Sequence, residues 1–135
     1  MEFNTVREEP LYSFTSNDSD SVFNQTEKAP KHKAIIDNSS GEIIAVVGTG
    51  YKLVQNSEIF PQYEEDRYRS NLNTEGMERK LSYSHNGART IMSYVFPAHR
   101  ISIKKYDDMD LQINVLNSYD GSWKFMSLVG AFRLL

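Results

Sequence analysis

The chain contains no cysteine, which excludes a disulfide framework and any metal site built on thiolates. It also lacks an unbroken apolar run of about 18 residues, the length that a membrane-spanning helix requires. Its first residues do not show the basic and then apolar order of a secretory signal. At 135 residues the chain has the length of one domain and can bury a core. We therefore expect an intracellular protein with no contact to a membrane.

Sequence patterns of enzymes are also scarce. The chain has no nucleophile elbow, no P-loop and no HExxH pair. Gly48-Thr49-Gly50 begins like a dinucleotide fingerprint, but Leu53 stands where the third glycine is needed, and the run Asp107–Asp110 lacks the calcium-loop pattern. The histidines show no metal-site spacing and are His32, His85 and His99. We expect no catalytic residue, no cofactor and no bound metal.

Charge is unevenly distributed along the chain, whose net charge is −3. Residues 1–30 carry two basic and six acidic side chains, whereas residues 77–135 carry eight basic and five acidic ones. An acidic leader that shields a basic surface would produce this pattern. Ordinary scatter of surface charge is the simpler interpretation.

Residues 33–56 contain the clearest folding signal. Apolar runs at residues 34–36 and 42–47 flank the turn-forming segment Asp37–Gly41, which predicts a β-hairpin with a longer loop. The second run does not alternate with polar residues, so we expect burial on both of its faces. A third short strand is predicted at residues 51–54.

A helix is predicted at residues 56–73, with Asn56 as its N-cap. Because Pro61 has no N–H, the helix either begins near Phe60 or is kinked at Pro61. An apolar stripe would face the sheet and a charged side would face water. The stripe comprises Phe60, Tyr63, Tyr68 and Leu72, and the charged side Glu64, Glu65, Asp66, Arg67 and Arg69.

From Met77 onward the apolar residues alternate, as they do in half-buried strands. Asn86-Gly87 between runs at residues 77–84 and 89–96 is a strong hairpin signal. Pro97 is expected to end the second run. Further strands are predicted at residues 100–105, 111–117, 123–129 and 132–135, with a bulge at Gly130. Residues expected in the core include Met92, Tyr94, Phe96, Trp123, Phe125 and Val129.

These patterns predict an α+β domain at residues 31–135, with a largely antiparallel β-sheet built from successive hairpins and one main helix on a face. Residues 1–30 are polar and their apolar side chains are sparse, so we expect a flexible acidic N-terminal arm. Residues 11–14 of this arm can dock as an edge strand. Deleting the arm is expected to leave the fold intact.

Four segments resemble a domain-of-unknown-function family of phages and plasmids, typified by YfjQ/YafZ-type prophage proteins. They are residues 41–60 (GEIIAVVGTGYKLVQNSEIF), the Gly-centred hairpin at residues 85–89, and residues 117–122 and 130–134. The resemblance covers about residues 33–135. The family continues into a Cys-Asn-Gly segment and a further helical region, so this chain would be a naturally short member, a truncated one or an isolated domain. The resemblance implies a phage or mobile-element protein in the cytoplasm of a bacterial host.

One function hypothesis is non-enzymatic binding or annealing of single-stranded nucleic acid in recombination, which the phage and plasmid setting of the family makes plausible. Basic side chains on a sheet with interleaved aromatic rings hold single strands without reading their sequence. The aromatic candidates are Tyr83, Tyr94, Tyr106 and Trp123. The basic candidates are Arg79, Lys80, Arg89, Arg100, Lys104, Lys105 and Lys124.

The alternative hypothesis is a protein-binding module that inhibits a host protein, for example one of a defence complex. An acidic arm can imitate nucleic acid by presenting carboxylates at phosphate-like spacing. The contact surface would be the arm and the charged side of the helix. Its candidate residues are Glu8, Glu9, Asp18, Asp20, Glu64, Glu65 and Asp66. Self-association into a homo-oligomer is compatible with either hypothesis.

Overall fold

The fold is given by a computed structural model, which describes residues 2–15, 25–68, 72–104 and 107–133. The predicted site residues Asp18, Asp20 and Lys105 lie outside the described residues, and so does the side chain of Lys104. In chain order the described elements are β1 (Val6–Thr15), β2 (Gln25–Asp37), β3 (Ile43–Gly48), α1 (Asn56–Tyr68), β4 (Glu78–Ser84), a 3₁₀ turn (His85–Gly87), β5 (Arg89–Lys104), β6 (Asp107–Ser118) and β7 (Met126–Arg133).

The described strands form two antiparallel sheets, whereas the sequence predicted one. The N-terminal sheet has the order β1-β2-β3, and the C-terminal sheet has the order β4-β5-β6-β7. Within each sheet every strand pairs with its neighbour in sequence. The predicted α+β class, with antiparallel hairpins and one helix, is therefore confirmed.

The main apolar core lies between α1 and one face of the C-terminal sheet. Alternation along β5 places three large side chains on this face, each at most 2% exposed. Phe3, from the N-terminal residues, stacks on Phe60 with 5.5 Å between ring centroids. The core comprises Phe60 of α1, with Met92, Tyr94, Phe96, Ile113 and Val115 of the sheet.

A second apolar cluster packs the N-terminal sheet around Tyr119, which follows β6. Its buried members are Val6, Ile35, Val47 and Tyr119, and Leu53 is among the partly buried residues packed against them. Because these side chains come from β1, β2, β3 and the segment after β6, the cluster joins the two sheets.

β1 is the largest difference between prediction and structure. Residues 6–15 pair with residues 25–37, and Val6 is only 4% exposed. The predicted boundary between residues 30 and 31 thus falls inside β2, and the expected edge strand at residues 11–14 is part of β1. Three consecutive charged residues, at positions 7–9, hide the alternation of apolar and polar residues that would reveal this strand.

α1 begins at Asn56 and keeps Pro61 in its interior. The carbonyl of Gln55 accepts hydrogen bonds from the N–H groups of Glu58 and Ile59, which closes the first turn. Because Pro61 cannot donate, the carbonyl four residues before it has no helical partner. The helix thus begins before Phe60, so the predicted later start is wrong.

Several predicted strand boundaries are wrong. β5 continues through Pro97, and its ladder with β6 shifts register between Phe96 and Arg100, which accommodates the missing N–H. β7 begins only at Met126 and pairs through Gly130 without a bulge. Residues 51–54 form no strand.

Three predicted burials are also wrong. Ile43 and Val46 are 60% and 54% exposed because β3 is an edge strand, so this run is not buried on both faces. Val129 is 66% exposed because β7 is the edge of the C-terminal sheet. Phe125 is 39% exposed, although its ring contacts Phe60 edge-on at 6.3 Å.

No helix among the described residues is long and apolar enough to cross a membrane.

Candidate functional site

A buried polar network lies where the two sheets meet, and we call it the junction network. Its centre is Asn56, which is fully buried at the start of α1. Asn56 Nδ2 donates to Thr90 Oγ1 at 2.9 Å and to Asn4 Oδ1 at 2.8 Å, and Asn56 Oδ1 accepts from Asn117 Nδ2 at 2.8 Å. An unpaired buried amide costs about 1–3 kcal/mol, so these contacts secure the fold. The network comprises Asn4, Asn56, Thr90, Asn117 and Tyr119.

The N-terminal segment is held in this network through Asn4. The Asn4 N–H donates to Tyr83 Oη at 3.1 Å, its carbonyl accepts from Tyr119 Oη at 3.1 Å, and its Nδ2 donates to the Gly87 carbonyl at 2.9 Å. Two residues later, the side-chain amide of Gln55 binds both backbone groups of Val6, at 2.8 Å and 3.2 Å. The N-terminus is therefore part of the domain.

Tyr119 connects the network to the second apolar cluster. Its Oη accepts a hydrogen bond from the Asn56 N–H at 2.9 Å and donates to the Asn4 carbonyl. Only 1% of the residue is exposed. Burial raises the pKa of Tyr119 to about 12, against a smaller opposing effect of the Asn56 N–H. The phenol is neutral at physiological pH and can act as donor and acceptor together.

The turn between β4 and β5 has an unusual backbone that admits Asn4. His85, Asn86 and Gly87 all have positive φ, at 54°, 57° and 88°. This conformation is costly for residues with a Cβ, and asparagine tolerates it better than most. A Cβ at Gly87 would lie 2.8 Å from Asn4 Nδ2, so the contact with the N-terminal segment requires glycine here.

Arg89 is the centre of a polar cluster beside this turn. Arg89 Nε donates to Asp120 Oδ2 at 3.0 Å, and its guanidinium carbon lies 5.7 Å from the centroid of the Trp123 ring. Arg89 Nη1 lies 3.0 Å from His85 Nε2. Since a guanidinium can only donate, His85 Nε2 accepts and the imidazole proton is on Nδ1. That proton points to Ser84 Oγ, 3.1 Å away.

This cluster connects the turn between β4 and β5 with the turn that follows β6. Partial burial raises the pKa of Asp120, but hydrogen bonds from Ser122 and the Arg89 guanidinium outweigh it, so the pKa lies below its usual range. Asp120 is therefore a counter-ion for Arg89. Within the described part of the chain, no three His, Cys, Asp or Glu side chains are grouped closely enough to hold a metal ion.

Ion pairs engage three of the five predicted nucleic-acid-binding residues whose side chains are described. The pairs are Arg79 with Glu64 (2.6 Å), Arg89 with Asp120 (3.0 Å) and Arg100 with Asp110 (2.8 Å). Lys80 and Lys124 are exposed, on β4 and just before β7 respectively. Of the predicted aromatic platforms, Tyr94 is 2% exposed and belongs to the core, whereas Tyr83 is 41% exposed. Among the described residues, the predicted basic and aromatic side chains do not lie together on one exposed surface.

The predicted acidic contact residues lie on β1 and α1. Glu8 accepts a hydrogen bond from Lys33 Nζ at 2.7 Å, and Glu9 pairs with Arg7 at 2.9 Å. On the helix, Glu65 and Asp66 are exposed as predicted. Glu64 was predicted on the same wet side, but its side chain is only 23% exposed against the sheet, where it pairs with Arg79.

The face of the C-terminal sheet opposite α1 was not singled out by any sequence pattern. The register places Ser93 between Lys80 of β4 and Asn114 of β6, and Asn114 next to Leu128 of β7. We call this surface the open face. It is centred on Ile91, Ser93, Asn114, Leu116 and Leu128, and none of these side chains belongs to either apolar cluster of the described residues.

No family model, no curated protein and no solved structure matches this chain. The resemblance to the phage-associated family therefore stays a prediction. Function has to be inferred from the chemistry of the surfaces described above.

Sequence reasoning missed the junction network. It assigned Asn56 to a helix cap, Asn117 to a strand end, and Asn4 to an arm outside the domain. Residues 41–60, 85–89 and 117–122 each contribute contacts to the junction network. These contacts are made by the fold between segments far apart in sequence, so no local pattern reveals them.

Proposed function

We propose that the protein is a non-enzymatic module that binds another protein through the open face of the C-terminal sheet. The observation that carries the proposal is the chemistry of this face. Aliphatic Ile91 and Leu116 lie opposite each other, and uncharged Ser93 and Asn114 form the neighbouring cross-strand row, which Leu128 continues on β7. Protein contact surfaces have this mixture of apolar area and uncharged hydrogen-bonding groups, with charge depleted at the centre.

Nucleic-acid binding has less support from the same geometry. Its affinity depends on cations that are free to replace the counterions of phosphates. Three of the predicted arginines already have carboxylate partners, and Lys80 is the predicted basic residue that lies on the open face. Tyr94, the predicted aromatic platform on β5, points to the helix and packs against Tyr63 with 5.9 Å between ring centroids.

The resemblance to a phage-associated family suggests the class of partner. Small phage proteins often act by occupying a protein of their host, and a defence protein is one such target. We therefore propose a host protein as the partner. The acidic side of α1 with Glu65 and Asp66 is the competing contact surface.

Site-specific photo-crosslinking in host cells separates these surfaces. A benzoylphenylalanine at position 93 tests the open face, and the same residue at position 65 is a matched control on the exposed side of α1. We expect covalent adducts with a second protein from position 93 only, and their loss when Asn114→Arg is added. Adducts from position 65 alone, or from neither position, would contradict the proposal.

A nucleic-acid titration complements this experiment. Fluorescence anisotropy with labelled single-stranded DNA over a salt series is expected to show no binding. Salt-dependent binding that Lys80→Ala weakens would instead support the nucleic-acid hypothesis.

A further inference from the structure

β7 is an edge strand whose outer side is unusually suited to pairing. It borders β6 on one side and no described strand on the other. Leu128 and Val129 point to opposite faces and are 54% and 66% exposed. From Met126 to Phe132 the sequence contains no charge and no proline. Exposed apolar edges of this kind are templates for another strand.

The first strand of each sheet, β1 or β4, is an edge strand protected by charged residues. β4 begins with Glu78, Arg79 and Lys80, and β1 carries the run Arg7–Pro10. Charges and proline on an edge strand oppose its pairing with another chain. β7 is therefore the unprotected edge of the C-terminal sheet. β3 is the uncharged edge of the N-terminal sheet, but it has six residues against eight in β7, so β7 offers the longer hydrogen-bonding ladder.

We infer that β7 pairs antiparallel with β7 of a second copy of this chain. An uncharged apolar strand meets its best match in an identical strand, because no charge is left without a partner and both faces continue as apolar surface. A two-fold axis makes the contact self-complementary and closes the assembly at a dimer. An acidic or basic peptide would find no opposite charge on this edge.

The pairing would join two four-stranded sheets into one continuous sheet. Leu128 belongs both to β7 and to the open face, so the two open faces become contiguous across the dimer. This inference does not depend on the proposed function: the dimer can form whether or not the open face binds another protein.

The geometry of a two-fold strand pair makes a specific test possible. An axis perpendicular to the sheet keeps every side chain on its own face, so one residue of β7 must lie opposite its own copy. Directly opposed Cβ atoms are about 4.5–5.5 Å apart, close to the reach of a disulfide. Because the chain has no cysteine, a single introduced cysteine can form a disulfide only with a second copy.

The experiment combines sedimentation of the full chain with cysteine substitutions at positions 127–131. Sedimentation equilibrium is expected to give a dimer that Leu128→Arg converts to the single-chain mass. One cysteine position in β7 is expected to oxidise to a covalent dimer much faster than its neighbours. Val46→Cys and Val46→Arg are matched controls, because Val46 is also 54% exposed on an uncharged edge, that of β3.

The outcomes are separable. A single-chain mass at every concentration, with no preferred disulfide in β7, would overturn the inference. A dimer that survives Leu128→Arg and is dissociated by Val46→Arg would overturn it as well, because the contact would then be at β3. Circular dichroism of Leu128→Arg checks that the half-exposed substitution leaves the fold unchanged. Crosslinking from position 93 in a single-chain protein would leave the proposed function standing without the dimer.

Discussion

The side chain of Asn56 connects three parts of the chain that are far apart in sequence. Its amide has three hydrogen-bonding partners, from the N-terminal segment, β5 and β6. Its backbone N–H has a fourth partner in Tyr119. Because Asn56 is buried together with Thr90, Asn117 and Tyr119, these groups depend on one another for their hydrogen bonds. The side chain that sequence reasoning assigned to a helix cap is thus the link between the sheets.

Tyr119 makes the same network sensitive to alkaline pH. A tyrosine in the unfolded chain ionises near pH 10, whereas burial raises the pKa of folded Tyr119 to about 12. The unfolded state therefore loses its proton first, so this contribution to stability is complete below about pH 10 and is lost as pH rises to about 12. Burial also raises the pKa of Tyr94, with the same sign.

We expect the urea midpoint to fall between about pH 10 and about pH 12, and the fall to be smaller in Tyr119→Phe. The control is Tyr12→Phe, which removes the hydroxyl of a tyrosine that is 52% exposed. A midpoint that is constant across this window in the wild-type chain would show that Tyr119 ionises freely in the folded state.

Among the elements, α1 is a helix that is stabilised by packing against the sheet more than by its intrinsic helix propensity. Phe60 is fully buried, and Glu64 pairs with Arg79 of β4 at 2.6 Å. Pro61 lies on the exposed side and cannot donate to the carbonyl four residues before it. The contacts of Phe60 and Glu64 with the sheet stabilise the helix despite this missing hydrogen bond.

Pro61→Ala should consequently stabilise the protein. An interior proline costs about 3 kcal/mol relative to alanine, and the greater freedom of the unfolded alanine chain offsets up to about 1 kcal/mol. We expect the free energy of unfolding to rise by about 2–3 kcal/mol in urea unfolding, and no appreciable change for the exposed neighbour substitution Gln62→Ala. A loss of stability in Pro61→Ala would mean that the proline ring itself stabilises the helix by packing.

The elements also show which parts of the fold a sequence can predict. The β4–β5 hairpin was predicted because Asn86-Gly87 is a local signal between two alternating runs. Of β1 only residues 11–14 were predicted, as an edge strand, because its partner is residues 25–37 and charged residues conceal its inward Val6. Edge positions such as Ile43 and Val129 were predicted as buried because an apolar side chain does not reveal whether another strand lies beside it.

At the scale of the whole molecule, the two sheets are coupled by the junction network and differ in what they leave exposed. Sequence reasoning could choose basic and acidic candidates but not their pairing, since Arg79 and Glu64, or Arg89 and Asp120, are brought together only by the fold. The open face was equally hidden, because side chains that are scattered in sequence share it only through the strand register.

The central claim is that the N-terminal segment is a structural part of the domain and that its contacts at the junction couple the two sheets. Urea unfolding of a chain that lacks residues 1–6, followed by Trp123 fluorescence, tests it most directly. Loss of buried Val6 and of the partners of Asn56 and Tyr119 should lower the free energy of unfolding by about 4 kcal/mol or abolish the cooperative transition. An unchanged midpoint and slope, as expected of a dispensable arm, would contradict the account.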